Sequence, residues 1–193
     1  MLESSTLVSK IRVTEMKKQD LSFLFDLWHI PEVMRYADEF PRLRGWSKSD
    51  DINYAWGRYQ EQCGKSGKEY AQLILRLGDE KPIGESFFAP LEEGASFGKW
   101  QKPDGVICVM GDIKLLPQYW GRGMGTDGMR EVVRHVFSET ACELFVVPPH
   151  RKNPAAYRVY EKAGFVLFTG MKSWRNHRIM EMSKDLYQER YDG

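Results

Sequence analysis

The stretch Lys114-Leu115-Leu116-Pro117-Gln118-Tyr119-Trp120-Gly121-Arg122-Gly123-Met124-Gly125-Thr126 decides how this chain is read. A short apolar run stops at Pro117, and glycine then recurs at every second position from Gly121 to Gly125. Beyond it, Met129, Val132, Val133, Val136 and Phe137 fall at helical spacing. The pattern predicts a strand, a tight glycine turn and an amphipathic helix. Glycine lets backbone approach a ligand closely, and the first turn of a helix offers unpaired N–H donors and a positive dipole end. Backbone from Gly121 to Thr126 is therefore expected to face a diphosphate-like anion, with Arg122 as a further phosphate contact.

Working outward, Val8–Thr14 alternates as a strand, and Asp20 is expected to cap a helix carrying Leu21, Leu24, Phe25 and Trp28. Pro31 opens a further helical turn through Tyr36. Ser47 with Asp50 resembles a capping box for a helix with Ile52, Ala55, Trp56 and Tyr59 along one side. Tyr70–Leu77 and Ile83–Ala89 read as strands joined through Gly78-Asp79-Glu80-Lys81. Pro90–Gly105 reads as a long loop, and such loops often shape substrate sites. Val106–Leu116 is the strand entering the glycine turn. Glu143–Val147 is another, Asn153-Pro154 starts a helix that Gly164 stops, and strands around Phe165–Thr169 and Arg178–Met182 follow. Met171–Arg178 reads as a hairpin with a polar tip. The order is mixed α/β within a single domain, 1–193.

Composition narrows the classes. The chain has 193 residues, 42% of them hydrophobic, with 28 basic and 27 acidic side chains for a net charge of +1. That balance gives no footprint for nucleic acid or an anionic membrane. No apolar run approaches the ~18 residues needed to span a bilayer, and the N-terminus lacks a signal-peptide layout. Cys63, Cys108 and Cys142 show no metal spacing, and their odd number argues against a disulfide framework. A cytoplasmic, metal-free protein is the expectation. Among nucleotide folds, a P-loop would need a lysine before the hydroxyl residue, and Gly125-Thr126 has none. Gly123, Gly125 and Gly128 match a dinucleotide spacing, but they fall late in the chain with no acidic strand end at the required interval.

Two blocks together resemble the GNAT superfamily of acetyl-CoA-dependent N-acyltransferases. The first is the glycine turn, whose family form is Arg or Gln, two residues, Gly, one residue, then Gly or Ala. Gln118…Gly121…Gly123 matches literally. Trp120…Gly123…Gly125 places Pro117 and Tyr119 in their usual positions and is preferred, with Trp where the family carries Arg or Gln. The second block, Asn153-Pro154-Ala155-Ala156-Tyr157-Arg158-Val159-Tyr160-Glu161-Lys162-Ala163-Gly164-Phe165, is similar to the family's Asn-x-x-Ala-x-x-x-Tyr-(x)3-Gly-Phe. The resemblance implies a central, mixed but mostly antiparallel twisted sheet of about seven strands, flanked by helices and splayed at the cofactor site. It implies acetyl-CoA as cosubstrate, held by Leu115, Leu116, Trp120, the Gly121–Thr126 backbone, Asn153, Ala156 and Tyr160.

By the same resemblance Tyr160 protonates the departing thiolate, with Tyr157 as a weaker substitute, and backbone at Leu115 and Leu116 supplies a donor to the thioester oxygen. An alkylamine is mostly protonated at neutral pH, so a carboxylate or water chain must take a proton. Asp112, the only acid in the strand entering the turn, is the candidate base or amine-binding acid, and Glu85 in the preceding strand is the reserve. Trp28, Trp46, Trp56 and Tyr36 are read as core or cleft-wall packing. Arg42-Leu43-Arg44 and Arg151-Lys152 are read as solvated faces, the second within reach of an adenosine phosphate.

Direct acetyl transfer to a primary amine of a small molecule or a protein N-terminus is the leading reading. The Tyr119-Trp120-Gly121 turn resembles ribosomal-protein N-terminal acetyltransferases. The long insertion before the motif strand, together with Gly111-Asp112 and the later stretch Pro149-His150-Arg151-Lys152-Asn153-Pro154, resembles aminoglycoside 6′-N-acetyltransferases, though Pro148 stands where those carry an acid. Glu92, Glu93 and Asp104 in the insertion would suit a polyamine and equally a solvated loop. A non-catalytic acetyl-CoA-binding regulator is the reading from another class, and family habit suggests a homodimer.

Overall fold

A computed structural model describes residues 11–37, 51–78 and 81–191. Val8–Lys10, Trp46, the Arg42–Arg44 cluster, the Ser47–Asp50 capping box and the Asp79-Glu80 turn residues lie outside the described residues. The chain runs β1 (Ile11–Glu15), α1 (Leu21–Trp28), α2 (Pro31–Met34), α3 (Ile52–Ser66), β2 (Ala71–Leu77) and β3 (Lys81–Pro90). It continues through β4 (Ser96–Phe97), β5 (Trp100–Gln101), β6 (Cys108–Leu115), α4 (Met124–Glu139) and β7 (Leu144–Val147). It ends with α5 (Pro154–Lys162), β8 (Val166–Leu167), β9 (Met180–Ser183) and α6 (Lys184–Tyr191).

Seven strands form one sheet in the order β1-β2-β3-β6-β7-β9-β8, and every neighbouring pair is antiparallel except β6 with β7. Helices cover both faces, which is why β2 and β3 are buried almost along their length instead of alternating in and out. On one face the apolar stripe of α4 (Met129, Val132, Val133, Val136, Phe137) packs with Leu73, Leu75, Phe88 and Phe145. On the other, Leu21, Leu24 and Phe25 of α1 and Ala55 and Tyr59 of α3 pack onto Ile74 and Phe87.

One irregularity sets up everything that follows. β6 and β7 pair only where Cys108–Met110 lie against Leu144–Val146, although β6 runs on to Leu115. From Gly111 onward the two strands part and leave a gap in the sheet.

Four local expectations are corrected. Asp20 does not cap α1: it sits in helical conformation, and its carboxylate accepts from Arg76 Nη2 at 2.7 Å and from the Lys17 N–H at 2.9 Å. A buried arginine on β2 outcompetes the helix terminus for that charge. The cap of α3 is Asp51, whose carboxylate accepts from the Asn53 and Tyr54 N–H groups at 2.8 and 3.0 Å. Pro90–Gly105 is not a plain loop, because it contains the β4–β5 hairpin. Trp100 of that hairpin is buried against Met110, Val146 and Ile179 and donates from Nε1 to Glu181 Oε2 at 2.8 Å. Finally, the chain ends in helix α6 after β9, with no strand as its last element. The polar-tipped hairpin between Trp174 and His177 is present.

Burial of titratable groups makes an alkaline limit part of the fold. Loss of hydration pushes the Tyr59 and Tyr160 phenols well up, and pushes the Cys142 thiol to about 12. These folded-state values lie above the unfolded ones, so the groups contribute stability below the unfolded pKa that is lost as pH rises through it. Each costs up to about 1.4 kcal/mol per pH unit once the unfolded chain ionises and the folded one does not. The urea midpoint of reduced protein, followed by circular dichroism, should hold steady from about pH 7 to 8 and drop clearly by about pH 10. An unchanged midpoint would contradict the burial assigned to these side chains.

Candidate active site

The site grows from the alternation of β6. The Leu116 N–H donates to Ile83 O on β3 at 2.9 Å, and antiparallel pairing then gives the backbones of Asp112 and Lys114 to β3 as well. Backbones of the intervening residues, Ile113 and Leu115, turn toward the gap left by β7. Of the two leucines expected to supply a donor to a bound thioester, Leu115 has its amide on the gap side, and Leu116 has spent its own in the sheet. Trp120 closes over this edge, its Nε1 donating to Leu115 O at 2.8 Å.

Past Leu116 a 3-10 turn, Pro117–Tyr119, delivers the chain to Gly121 and Gly123, both at positive φ (70° and 81°). Gly123 is the N-cap residue of α4 in left-handed conformation, and its carbonyl accepts from the Thr126 and Asp127 N–H groups at 2.9 and 3.1 Å. The Met124 and Gly125 N–H groups stand in the first turn, where no carbonyl within the helix can take them. A Cβ on Gly123 would meet nothing within 4 Å, so the space beside the turn is open. One on Gly125 would sit 3.0 Å from Val159 Cγ2, which ties that glycine to the packing of α4 on α5. Helix entry thus follows Gly123, the first glycine of the Trp120…Gly123…Gly125 register.

Helix α5 supplies the other wall. Asn153 Oδ1 accepts from the Ala156 N–H at 3.1 Å, and Pro154 occupies the first helical position. Two turns on, Tyr160 is almost wholly buried, with its ring edge-on to Phe165. Burial first and the Asp112 charge second push its phenol up, while the Ile113 N–H, facing the oxygen from β6, acts the other way. Tyr160 therefore reaches across the gap to β6. Tyr157 points elsewhere, beneath the Arg178 guanidinium at 4.9 Å from its ring centre.

A cavity of about 1000 Å³ opens along the gap. Of the residues expected from sequence, Asp112, Leu115, Trp120, Gly121, Gly123, Gly125, Thr126, Asn153, Ala156 and Tyr160 line it together. Leu116, Arg122, Met124 and Glu85 are not among its lining residues. Glu85 is fully buried behind the wall, accepting from Trp28 Nε1 at 2.7 Å and from the Gln72 amide. No residue of the Pro90–Gly105 segment lines the cavity, so the expectation that this stretch shapes the site is corrected. Glu93 there pairs with Lys102.

Sequence reasoning did not single out the α1–α2 contribution of His29 and Glu32, nor Lys114 and His150. Lys114 was detectable: it lies two residues after Asp112, hence on the same strand face. The Tyr36 ring stacks on His150 with centroids 4.7 Å apart, and its hydroxyl donates to Lys152 O at 3.2 Å, joining α2's end to the loop before α5. That contact joins segments too far apart in sequence for any local pattern to reveal.

Residues 10–166 match the family model for the acetyltransferase (GNAT) domain. The chain belongs to the GNAT acetyltransferase family. Solved structures agree on this fold. An aminoglycoside acetyltransferase AAC(6′)-Ib in complex with ribostamycin and coenzyme A aligns with a TM-score of 0.71 at 18% identity, over 95% of this chain and 98% of that one. The spermidine N-acetyltransferase from Vibrio cholerae in complex with CoA and spermine aligns with a TM-score of 0.69 at 15% identity, over 93% and 98%. Among the described residues, no helix of this GNAT protein is long and apolar enough to cross a membrane.

The family assignment makes the glycine turn testable. Gly123→Ala forces a side chain into left-handed backbone, at about 1–2 kcal/mol, and points a methyl into the open space beside the turn. Calorimetric titration with CoA should show affinity reduced by roughly tenfold or more. Equal affinity would mean that the turn does not hold the cofactor.

Proposed function

We propose that this protein is an N-acetyltransferase that moves the acetyl group of acetyl-CoA to a primary amine of a small molecule, directly and within a ternary complex. One observation carries the reading: the buried Tyr160 phenol, the gap-facing β6 backbone and the Asp112 carboxylate meet in one cavity that is continuous with the glycine turn.

Acetyl-CoA supplies the activated thioester; the residues supply the rest. Backbone amides of the first turn of α4 take the diphosphate, and the parted edge of β6 turns the backbone of Ile113 and Leu115 toward an extended arm. The Leu115 N–H, on the gap side, is placed to donate to the oxygen on which charge develops as the amine attacks. Asp112, with 28% of its side chain exposed, shares its carboxylate between Lys114 and the incoming ammonium, and receives the ammonium's proton directly or through water. Tyr160 gives its proton to the thiolate as the carbon–sulfur bond breaks. Its raised pKa suits this role, because the phenol stays protonated throughout the neutral range.

The test is release of free thiol from acetyl-CoA across a panel of amines, with mass spectrometry of the product. Turnover yielding an acetylated amine supports the enzyme. Tight CoA binding with no turnover over the whole panel would favour a non-catalytic acetyl-CoA-binding regulator.

A further inference from the structure

Two carboxylates stand at the β3–β6 wall of the cavity, and the chain itself answers both. Glu85 and Lys114 are register partners across β3 and β6, and Asp112 shares the face of Lys114. Lys114 Nζ contacts Asp112 Oδ2 and lies 3.6 Å from Glu85 Oε1. The lysine side chain is only 8% exposed, so its ammonium is held between the two acids rather than in solvent. Among the described residues, the cavity lining presents two acids, Glu32 and Asp112, against Arg35, Lys114, Arg158 and Lys162. The α1 side of the same wall is apolar, formed by Phe25, Trp28 and Phe87.

We propose that Lys114 is an internal cation occupying the place a substrate's second ammonium would take, and that it restricts the acceptor to primary monoamines on an apolar body. The inference rests on the amine-acetylation reading and names its substrate class. A polyamine or aminoglycoside needs one carboxylate for the reacting nitrogen and another for the next nitrogen along. Here the second carboxylate, Glu85, is buried, accepts from Trp28 Nε1 and the Gln72 amide, and has Lys114 Nζ at 3.6 Å. A second ammonium would enter beside Lys114 and lose hydration without gaining a partner, which penalises it strongly. A monoamine brings a single ammonium, which shares Asp112 with Lys114, and lays its body on the aromatic wall, so it meets that penalty once and not twice. Selectivity thus comes from repulsion of the wrong substrate as much as from attraction of the right one.

The experiment titrates CoA-loaded protein with 2-phenylethylamine, isoamylamine, spermidine and kanamycin by calorimetry at one ionic strength, and measures thiol release with acetyl-CoA in parallel. The monoamines should bind roughly tenfold or more tightly than the polycations, as expected for one unbalanced charge in a partly screened cleft. Lys114→Met leaves two carboxylates without their cation, and should shift the spermidine-to-monoamine ratio by roughly tenfold or more in favour of spermidine. Lys114→Gln, which keeps a hydrogen-bonding amide between the acids, should shift it in the same direction and carries the test if the methionine variant does not fold. Adding Glu85→Gln to either variant restores the net charge and should return the ratio toward wild type. Tighter spermidine binding by wild type, absent monoamine binding, or a ratio unmoved in both lysine variants would overturn the proposal. Absence of thiol release with every amine would instead count against acetyl transfer, while the order of binding still decides the role of Lys114.

Discussion

Tyr160→Phe is expected to lower the turnover number by about 10²–10³-fold, within the range contributed by a positioned general acid. The CoA dissociation constant should stay within about twofold, because the ring that packs against Phe165 is retained and only the proton donor is lost. The pH profile adds an independent readout. The phenol's pKa is raised by burial and by the Asp112 charge, so the acid form persists as pH increases. Turnover should climb toward about pH 10 as the acceptor amine loses its proton, with no descending limb from the acid. A fall beginning near pH 8, or a phenylalanine variant with undiminished turnover, would remove Tyr160 from thiolate protonation.

Gly111→Ala should be among the most damaging small substitutions in the sheet. Gly111 follows Met110, the last β6 residue paired with β7, so it marks the point where the strands separate. A Cβ there would lie 2.3 Å from Phe87 O and 3.1 Å from the Phe145 ring. Backbone on one side and a buried aromatic on the other leave no flexible end to yield. Overpacking of this kind costs about 1–3 kcal/mol or more, so the urea midpoint should fall substantially. The strain also pushes β6 away from β3 beside Asp112, so residual folded protein should lose turnover. A variant as stable and active as the parent would mean that the strands part with room to spare.

The parts legible in the sequence were those whose cause is local. Pro117, the alternating glycines and the stripe from Met129 to Phe137 announce strand, turn and helix because each obeys a short-range rule. Asn153-Pro154 announces α5 for the same reason. What escaped depends on distant partners. Asp20 carries the chemistry of a helix cap, but Arg76 on β2 claims it. The Pro90–Gly105 segment is rich in loop-forming residues, yet Trp100 finds a pocket among Met110, Val146 and Ile179 and stacks on Phe97, folding the stretch into a hairpin. Helix α6 buries none of its residues, so it shows little apolar stripe to read. Within the site, Tyr160 and the glycine turn stood out from their motif. The link from Lys114 to Glu85 required the β3–β6 register, which spacing along one strand does not provide.

The amide of Asn153 has had its polarity chosen for it. Its oxygen closes the first turn of α5, and its nitrogen adds two N–H donors that an aspartate would lack. Beyond the cap such a group can give a hydrogen bond, which a capping carboxylate cannot. A carbonyl turned toward that end of the groove would meet a donor there. An aspartate at the same position would still terminate the helix, yet it would greet that carbonyl with a negative charge. Asparagine satisfies both demands at once.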